Sequence, residues 1–133
     1  MHGETNINTL LKNMTPKLNE GSYVFCTTPQ LKDIDLTQTI GMFAEDEGFT
    51  IILKKETADS LGLIYTYIAC WISLTIHSSL EAVGLTAAIS TALAKQSISC
   101  NVVAAYYHDH IFVDQRDAAK AMLVLEGLSA ITS

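Results

Sequence analysis

The chain has 133 residues, of which 49% are hydrophobic, so it can bury one ordinary core or two very small ones and is not a disordered chain. Eight Lys and Arg residues stand against 14 Asp and Glu residues, which gives a net charge of −6 at pH 7. Because the basic residues form no cluster, a surface that neutralises phosphates is hard to assemble, and nucleic acid is excluded as a partner.

The charged residues are unevenly distributed along the chain. Within residues 60–113 the only charged side chains are Glu81, Lys95 and Asp109. A layer with so few charges is expected to be covered on more than one side, so we expect a homodimer or higher homo-oligomer. The uncharged run 60–80 is long enough to span a bilayer, but polar residues interrupt it and its alternating pattern favours a strand. No membrane association is therefore expected.

The N-terminal segment predicts a short helix followed by a strand. Apolar residues form a narrow stripe over Ile7–Met14, as in a helix that docks on a larger body. The polar segment Pro16–Gly21 is interpreted as a connector. Ser22–Thr28 is rich in strand-forming residues and stops at Pro29, which predicts the first strand.

A hairpin and a short helix are predicted next. Thr39–Ala44 and Phe49–Leu53 are apolar runs on either side of an acidic turn that ends in Gly48, which is typical of a hairpin. Thr57 then begins a helix of about two turns over Ala58–Leu61.

The second half opens with a strand and an amphipathic helix. Across Tyr65–Ile76 every even position from 68 onward is apolar, the period of a strand with one face in a core. Leu85–Gln96 then places Leu85, Ile89 and Leu93 at helical spacing.

A second hairpin and a final helix complete the predicted elements. Ile98–Tyr107 and His110–Val113 are β-branched and aromatic runs, and the short separation His108-Asp109 predicts the hairpin turn between them. Asp114 is the expected N-cap of a helix over Gln115–Glu126, which the following glycine is expected to end.

Two rounds of strand, hairpin and helix predict an α+β fold built on the split β-α-β motif, with antiparallel sheets that carry helices on one face. We divide the chain into residues 1–64, an N-terminal helix with a truncated unit, and residues 65–133, a second unit. The second unit lacks a fourth strand of its own. We therefore hypothesise that strand 22–28 completes its sheet.

The cysteines and the N-terminus give no sign of catalysis or export. Cys26, Cys70 and Cys100 are an odd number without a CxxC pair, which favours small buried residues in a reducing compartment. The sequence has no nucleophile beside a base, no phosphate-binding glycine loop and no spaced carboxylate pair, so we expect neither an enzyme nor a cofactor. The first residues lack the features of a secretory signal, so a cytoplasmic location is expected.

A strand, a Gly-containing turn, an alanine-rich helix and the run ISCNVVAAYYHDHIFV follow one another within Tyr65–Leu128. This succession resembles the ACT domain, the small-molecule regulatory module found beside enzymes of amino-acid metabolism. The whole chain is similar to short bacterial proteins made of two ACT-like units, although Gly21–Leu63 lacks the first helix. The resemblance implies tandem ferredoxin-like β-α-β-β-α-β units that pair with one another and bind a ligand at the interface between units.

The resemblance also implies which residues form the ligand site, namely the loop after the long strand and the start of the strand that follows the helix. These residues are His77, Ser78, Ser79, Glu81, Val83, Gly84, Leu85, Asn101, Val102 and Val103. An α-carboxylate can be held by backbone N–H groups at the start of the helix, where Gly84 permits close approach. Glu81 could pair with an α-ammonium group, and Ser78 and Ser79 add hydroxyl groups.

Each of these residues also has a purely structural explanation. Ser79 can cap a helix that begins early, Glu81 can be a solvated loop charge, and Asn101 can pair with the backbone. Only the group taken together favours a binding site.

The triplet His108-Asp109-His110 contains residue types that bind zinc, but a hairpin turn disperses them, so we expect a polar turn at a subunit contact and no metal. Tyr67 and Trp71 share the strand face opposite the aliphatic one. They are predicted to fill an interface rather than to stack on a ligand.

The sequence therefore predicts a stand-alone ACT-type regulatory or sensor protein that binds an amino acid or a related small metabolite at an interface between ACT units. The alternative is a structural or protein-interaction module that binds no ligand and acts through oligomer or partner assembly. A ligand-dependent change in thermal unfolding supports the first hypothesis, and co-purification of a partner without such a change supports the second.

Overall fold

The computed structural model describes residues 6–75 and 84–131, with side chains up to Ser129. The helices are α1 (Ile7–Lys12), α2 (Lys55–Ser60), α3 (Leu85–Lys95) and α4 (Ala118–Ile131). The strands are β1 (Thr15–Leu18), β2 (Tyr23–Thr28), β3 (Thr39–Glu45), β4 (Gly48–Lys54), β5 (Ile68–Thr75), β6 (Cys100–Ala104) and β7 (Asp109–Asp114). Two short 3₁₀ turns cover Leu36–Gln38 and Gln115–Asp117.

The described residues divide into two compact units. The first unit comprises residues 21–69, and the second comprises the residues up to Glu20 together with those from Cys70 onward. This grouping differs from the predicted division after residue 64, because α1 and β1 pack with the second unit.

The first unit is an antiparallel sheet with one helix packed on it. The predicted hairpin is present as β3 and β4. The whole length of β2 pairs in turn with β4, from Tyr23 opposite Lys54 to Thr28 opposite Phe49. The first residues of β5, Ile68 and Ala69, pair with the start of β2. Val24, Cys26, Ile51, Leu53 and Ala58 form the buried core of this unit.

The second unit has its sheet strands in the order β1-β5-β7-β6, and its helices cover one face of that sheet. As the two-residue period predicts, Cys70, Ile72 and Leu74 of β5 are buried. They pack with side chains of α1, α3 and α4 in a single hydrophobic core. The structure thus has the predicted α+β architecture of antiparallel sheets with helices on one face.

The fourth strand of the second unit comes from the N-terminus. β1 pairs antiparallel with β5, from Thr15 opposite Thr75 to Leu18 opposite Ile72. The sequence hypothesis gave this position to strand 22–28, which pairs with β5 only at Ile68 and Ala69, and took Pro16–Gly21 as a connector. β1 carries a proline and polar residues because it is a short edge strand, where a missing backbone N–H is tolerated.

The second hairpin turns earlier than the predicted His108-Asp109. β6 ends at Ala104, and the N–H of Ala105 donates to the carbonyl oxygen of His108 at 3.0 Å. Tyr106 and Tyr107 form the tip and are 88% and 77% exposed. Their high strand propensity made the sequence prediction extend the strand, but propensity mainly reflects fit to a half-buried surface, which a hairpin tip lacks.

The last helix also departs from its predicted bounds. The Asp114 side chain accepts from the N–H of Arg116, as expected for a cap, but the chain first makes a 3₁₀ turn. α4 then continues through Gly127 to Ile131, because contacts beyond the glycine hold its last turn in place. The Ser129 hydroxyl donates to the carbonyl oxygens of Leu11 and Met14 at 2.8 and 3.0 Å.

Among the helices of the described residues, none has the length and apolar character needed to cross a bilayer.

Candidate ligand-binding site

The amino end of α3 is the described part of the predicted ligand loop. Gly84 precedes the helix with φ 89° and ψ −7°, a left-handed conformation that favours glycine. Its carbonyl oxygen accepts from the N–H of Ala88 at 2.8 Å, so the helix is formed from its first turn. Leu85 is buried and anchors this end in the core. Because glycine has no side chain, the cap residue itself offers no acceptor to the N–H groups of the first turn.

Five of the predicted site residues lie outside the described residues. They are His77, Ser78, Ser79, Glu81 and Val83.

The other predicted residues lie on β6, at the edge of the second-unit sheet. Asn101 pairs with Phe112, Val102 with Ile111, and Val103 with His110. Val102 packs against the helix-covered core, whereas Asn101 is exposed and Val103 is 42% exposed. Alternate strand residues point to opposite faces, so Val102 shares the face of α3 and the other two do not.

A hydrogen-bonded group occupies the sheet face opposite the helices. This face, called here the Trp71 face, carries Trp71, Ser73, Asn19 and His110 in the second unit. The Trp71 Nε1–H donates to His110 Nδ1 at 3.0 Å, and the Ser73 Oγ lies 3.1 Å from the same nitrogen. Asn19 Nδ2 donates to Ser73 Oγ at 2.9 Å and to the Trp71 carbonyl oxygen at 3.2 Å.

The sequence analysis found part of this group and missed the rest. The period of β5 correctly places Trp71 and Ser73 on one face, opposite the buried aliphatic residues. Asn19 was hidden in the segment interpreted as a connector. The place of His110 opposite Trp71 depends on strand order, which no local pattern specifies.

The turn residues before and at the start of β7 are partly buried and titratable. Burial raises the pKa of the Asp109 carboxyl above its usual value. Burial also lowers the pKa of His110, and the neighbouring His108 lowers it further while Asp109 acts in the opposite direction. Within the described ranges, the Nδ1 atom of His108 is buried without a hydrogen-bond partner. No cluster of three or more His, Cys, Asp or Glu side chains suited to a metal ion occurs in the part of the chain that the structure describes.

An open groove of about 680 Å³ lies between α3 and α4. Its walls are mainly small and aliphatic side chains, including Ala88, Ala92 and Val124, and Lys95 lies at its margin. Leu123 on the rim is 72% exposed. The groove offers few polar groups and therefore little to recognise a zwitterion.

The three thiols are poorly suited to nucleophilic attack. Cys26 and Cys70 are buried and Cys100 is partly buried, and none forms a disulfide. Burial raises the pKa of each thiol above its usual value, so the reactive thiolate is disfavoured.

Solved structures that align with this chain include those of aspartate kinases. A C-terminal regulatory domain of aspartate kinase from Porphyromonas gingivalis aligns over 86% of this chain and 95% of its own, at a TM-score of 0.56 and 14% identity. The aspartate kinase of Clostridium acetobutylicum aligns over 96% of this chain at a TM-score of 0.62 and 13% identity. This chain spans only 36% of the length of that kinase. This chain therefore shares the fold of these kinase domains.

Two ACT domain profiles match in tandem, at residues 2–70 and 67–127, and this chain belongs to the ACT domain family. A Vibrio cholerae protein of unknown function, described as a possible transport protein, is 44% identical. Its structure aligns over 92% of this chain and 95% of its own, at a TM-score of 0.84. No curated protein matches the sequence.

Proposed function

We propose that this chain is a stand-alone ACT regulatory protein that binds an amino acid or a related small metabolite at the amino end of α3. The observation that carries the proposal is Gly84, whose left-handed conformation starts α3 with a cap that has no side chain. The tandem ACT matches support a regulatory role, and the raised pKa of the thiols argues against nucleophilic catalysis.

The chemistry of a helix amino end suits the carboxylate of an amino acid. The first N–H groups of a helix point outward without intrahelical partners, and the helix dipole makes this end positive. A glycine at the cap lets a ligand approach the backbone closely. Glu81, on the predicted loop, would pair with the α-ammonium group and so distinguish an amino acid from a simple carboxylate.

Binding of this kind is expected to be coupled to assembly. We propose that a second ACT unit, in an oligomer of this chain, closes the site beside the exposed Asn101 on the β6 edge. A ligand that contacts both partners stabilises the assembly by mass action, and assembly in turn raises the affinity for the ligand.

A thermal unfolding screen against all twenty amino acids tests the proposal. We expect one amino acid, or a chemically related group, to raise the Tm by several degrees at a concentration of about 100 times its Kd, because binding then adds about 2.7 kcal/mol to folded-state stability. Failure of every amino acid at millimolar concentration would contradict the amino-acid form of the proposal.

A matched pair of charge-removing variants tests the site. Glu81→Gln is expected to abolish the ligand-dependent rise in Tm, since the α-ammonium group loses its partner. Glu126→Gln removes the same charge from an exposed position on α4 and is expected to keep the full shift. Equal shifts in both variants would place the ligand elsewhere.

A further inference from the structure

The hydrogen bonds of His110 determine which of its ring nitrogens carries the proton. An indole N–H can only donate, so His110 Nδ1 must accept from Trp71 Nε1 across the 3.0 Å that separate them. The neutral imidazole therefore carries its proton on Nε2. The Ser73 hydroxyl oxygen lies 3.1 Å from Nδ1 and accepts a hydrogen bond from Asn19, so its own proton competes with the indole N–H for the single lone pair of that nitrogen.

Protonation of His110 is incompatible with this arrangement. The imidazolium ion carries a hydrogen on both ring nitrogens and has no acceptor left. An N–H on Nδ1 would meet the N–H of Trp71 head-on, and two donors at 3.0 Å repel each other. The ring or the indole must then move, so the hydrogen bond from Trp71 to His110 is lost, and the new Nδ1–H turns to the Ser73 hydroxyl oxygen, which can accept it.

The surroundings of His110 offer little to stabilise the imidazolium ion. On its own strand, Asp109 favours the charged form, whereas His108 disfavours it, and the two imidazole rings lie edge to face with centroids 6.3 Å apart. Trp71 and Ser73 of β5 face the ring, and both side chains are uncharged. From β6, the register partner is the apolar Val103.

β1 pairs with β5 beside Ser73, and the one charged side chain that β1 carries is a cation. Lys17 is the register partner of Ser73 and is exposed. The carboxyl of Asp109 itself takes up a proton more readily than usual because it is partly buried. Asp109, which favours a charged His110, therefore loses its negative charge more readily as the solution becomes acidic.

We propose that His110 is a pH-responsive switch in the second unit, which releases the Trp71 indole when it takes up a proton and so loosens the side-chain contact between β7 and β5 on the Trp71 face. The proposal is independent of any ligand at α3.

The direction of the effect follows from the lowered pKa of His110. The unfolded chain takes up this proton near the ordinary value of 6.5, before the folded chain does. The neutral imidazole therefore contributes stability that is present above 6.5 and is lost as the pH falls through the lower pKa of the folded state. The switch is expected to act in mildly acidic solution.

Trp71 is the single tryptophan of the chain, so it reports on the switch directly. The experiment follows its fluorescence and its indole N–H resonance by NMR, from neutral pH to about pH 5, together with the ring protons of His110. We expect one transition with a midpoint below 6.5, shared by the indole and the His110 ring. Circular dichroism at each pH checks that the chain stays folded.

Two matched variants separate His110 from its neighbour. His110→Asn keeps an amide near the position of Nδ1 but does not titrate, so the indole transition is expected to disappear. His108→Asn is expected to keep the transition and to move its midpoint upward, because His108 lowers the pKa of His110.

An indole signal that stays constant while His110 titrates in the folded wild-type protein would overturn the proposal. So would a transition of unchanged size in His110→Asn. If that variant does not fold, the wild-type comparison of indole and imidazole midpoints still decides the question.

Discussion

Asp109 shows how a single partly buried charge limits the stability of the second unit. Its carboxyl stands at the start of β7, opposite Ala104 of β6, and burial raises its pKa. A carboxyl with a raised pKa contributes stability only in its protonated form, below its ordinary value of 3.8, and loses that contribution as the pH rises through the folded-state pKa. At neutral pH the ionised form is therefore unfavourable.

Asp109→Asn is accordingly expected to stabilise the protein at neutral pH, by less than about 1 kcal/mol because solvent screens part of the effect. Urea unfolding at neutral pH and at about pH 4 measures the difference, which should shrink in acid as the wild-type carboxyl is protonated. Asp46→Asn, in the exposed turn between β3 and β4, is the control and should change little. A destabilised Asp109→Asn at neutral pH would contradict this account.

At the scale of elements, the N-terminal segment is a structural part of the second unit. Leu10 and Leu11 of α1 and Met14 after it are buried in the same core as α3 and α4. β1 then covers the edge of β5. α1 and β1 therefore supply a helix and a strand to a unit whose other residues begin at Cys70, after the whole of the first unit.

A pair of leucines in this segment tests its role. Leu10 is 2% exposed and Leu18 is 42% exposed. Leu10→Ala is expected to cost about 2–5 kcal/mol of unfolding free energy because it leaves a cavity in the core. Leu18→Ala should cost less than about 1 kcal/mol. Denaturant unfolding compares the two, and similar small losses would show that α1 is not docked on the second unit.

Gly127 and Gly84 make opposite predictions for the same substitution. Gly127 lies inside α4, and an added Cβ would meet no atom within 4 Å, so Gly127→Ala is expected to stabilise by about 0.5–1 kcal/mol. Gly84 has equal space but a φ of 89°, so Gly84→Ala is expected to destabilise by about 1 kcal/mol or more. Thermal unfolding gives both signs, and a shared sign would contradict one of the two backbone assignments.

Local patterns predicted the elements with a strong period and missed those fixed by distant contacts. The alternation of β5 and the helical spacing of Leu85, Ile89 and Leu93 were enough, because these faces are buried as predicted. β1 has too few residues to show a period, and its strand character comes from pairing with β5. Tyr106 and Tyr107 follow β propensity in sequence but lie at an exposed tip.

For the candidate site, the sequence supplied residue types but not their arrangement. The start of α3 directly after Gly84 could be predicted, because the apolar residues that follow have helical spacing. The placement of Val102 and Asn101 on opposite faces of β6 follows from the alternation of side chains along a strand. The contact of His110 with Trp71 could not be predicted, since it depends on β7 lying next to β5.

At the scale of the whole molecule, tandem ACT units whose charges are sparse between residues 60 and 113 are expected to work as an assembly. The range 60–113 contains only three charged side chains, and the β6 edge carries none. A sheet edge without charges is well suited to pairing with another chain. Ligand binding and assembly should then rise and fall together.

Native mass spectrometry of the purified protein tests the central claim most directly, because it reports copy number and bound small molecules together. With the amino acid that raises the Tm, we expect a homo-oligomer that retains ligand in whole-number ratios, and we expect Glu81→Gln to lose the added mass. A monomer that retains none of the twenty amino acids would contradict the account of this chain as a ligand-binding ACT regulator.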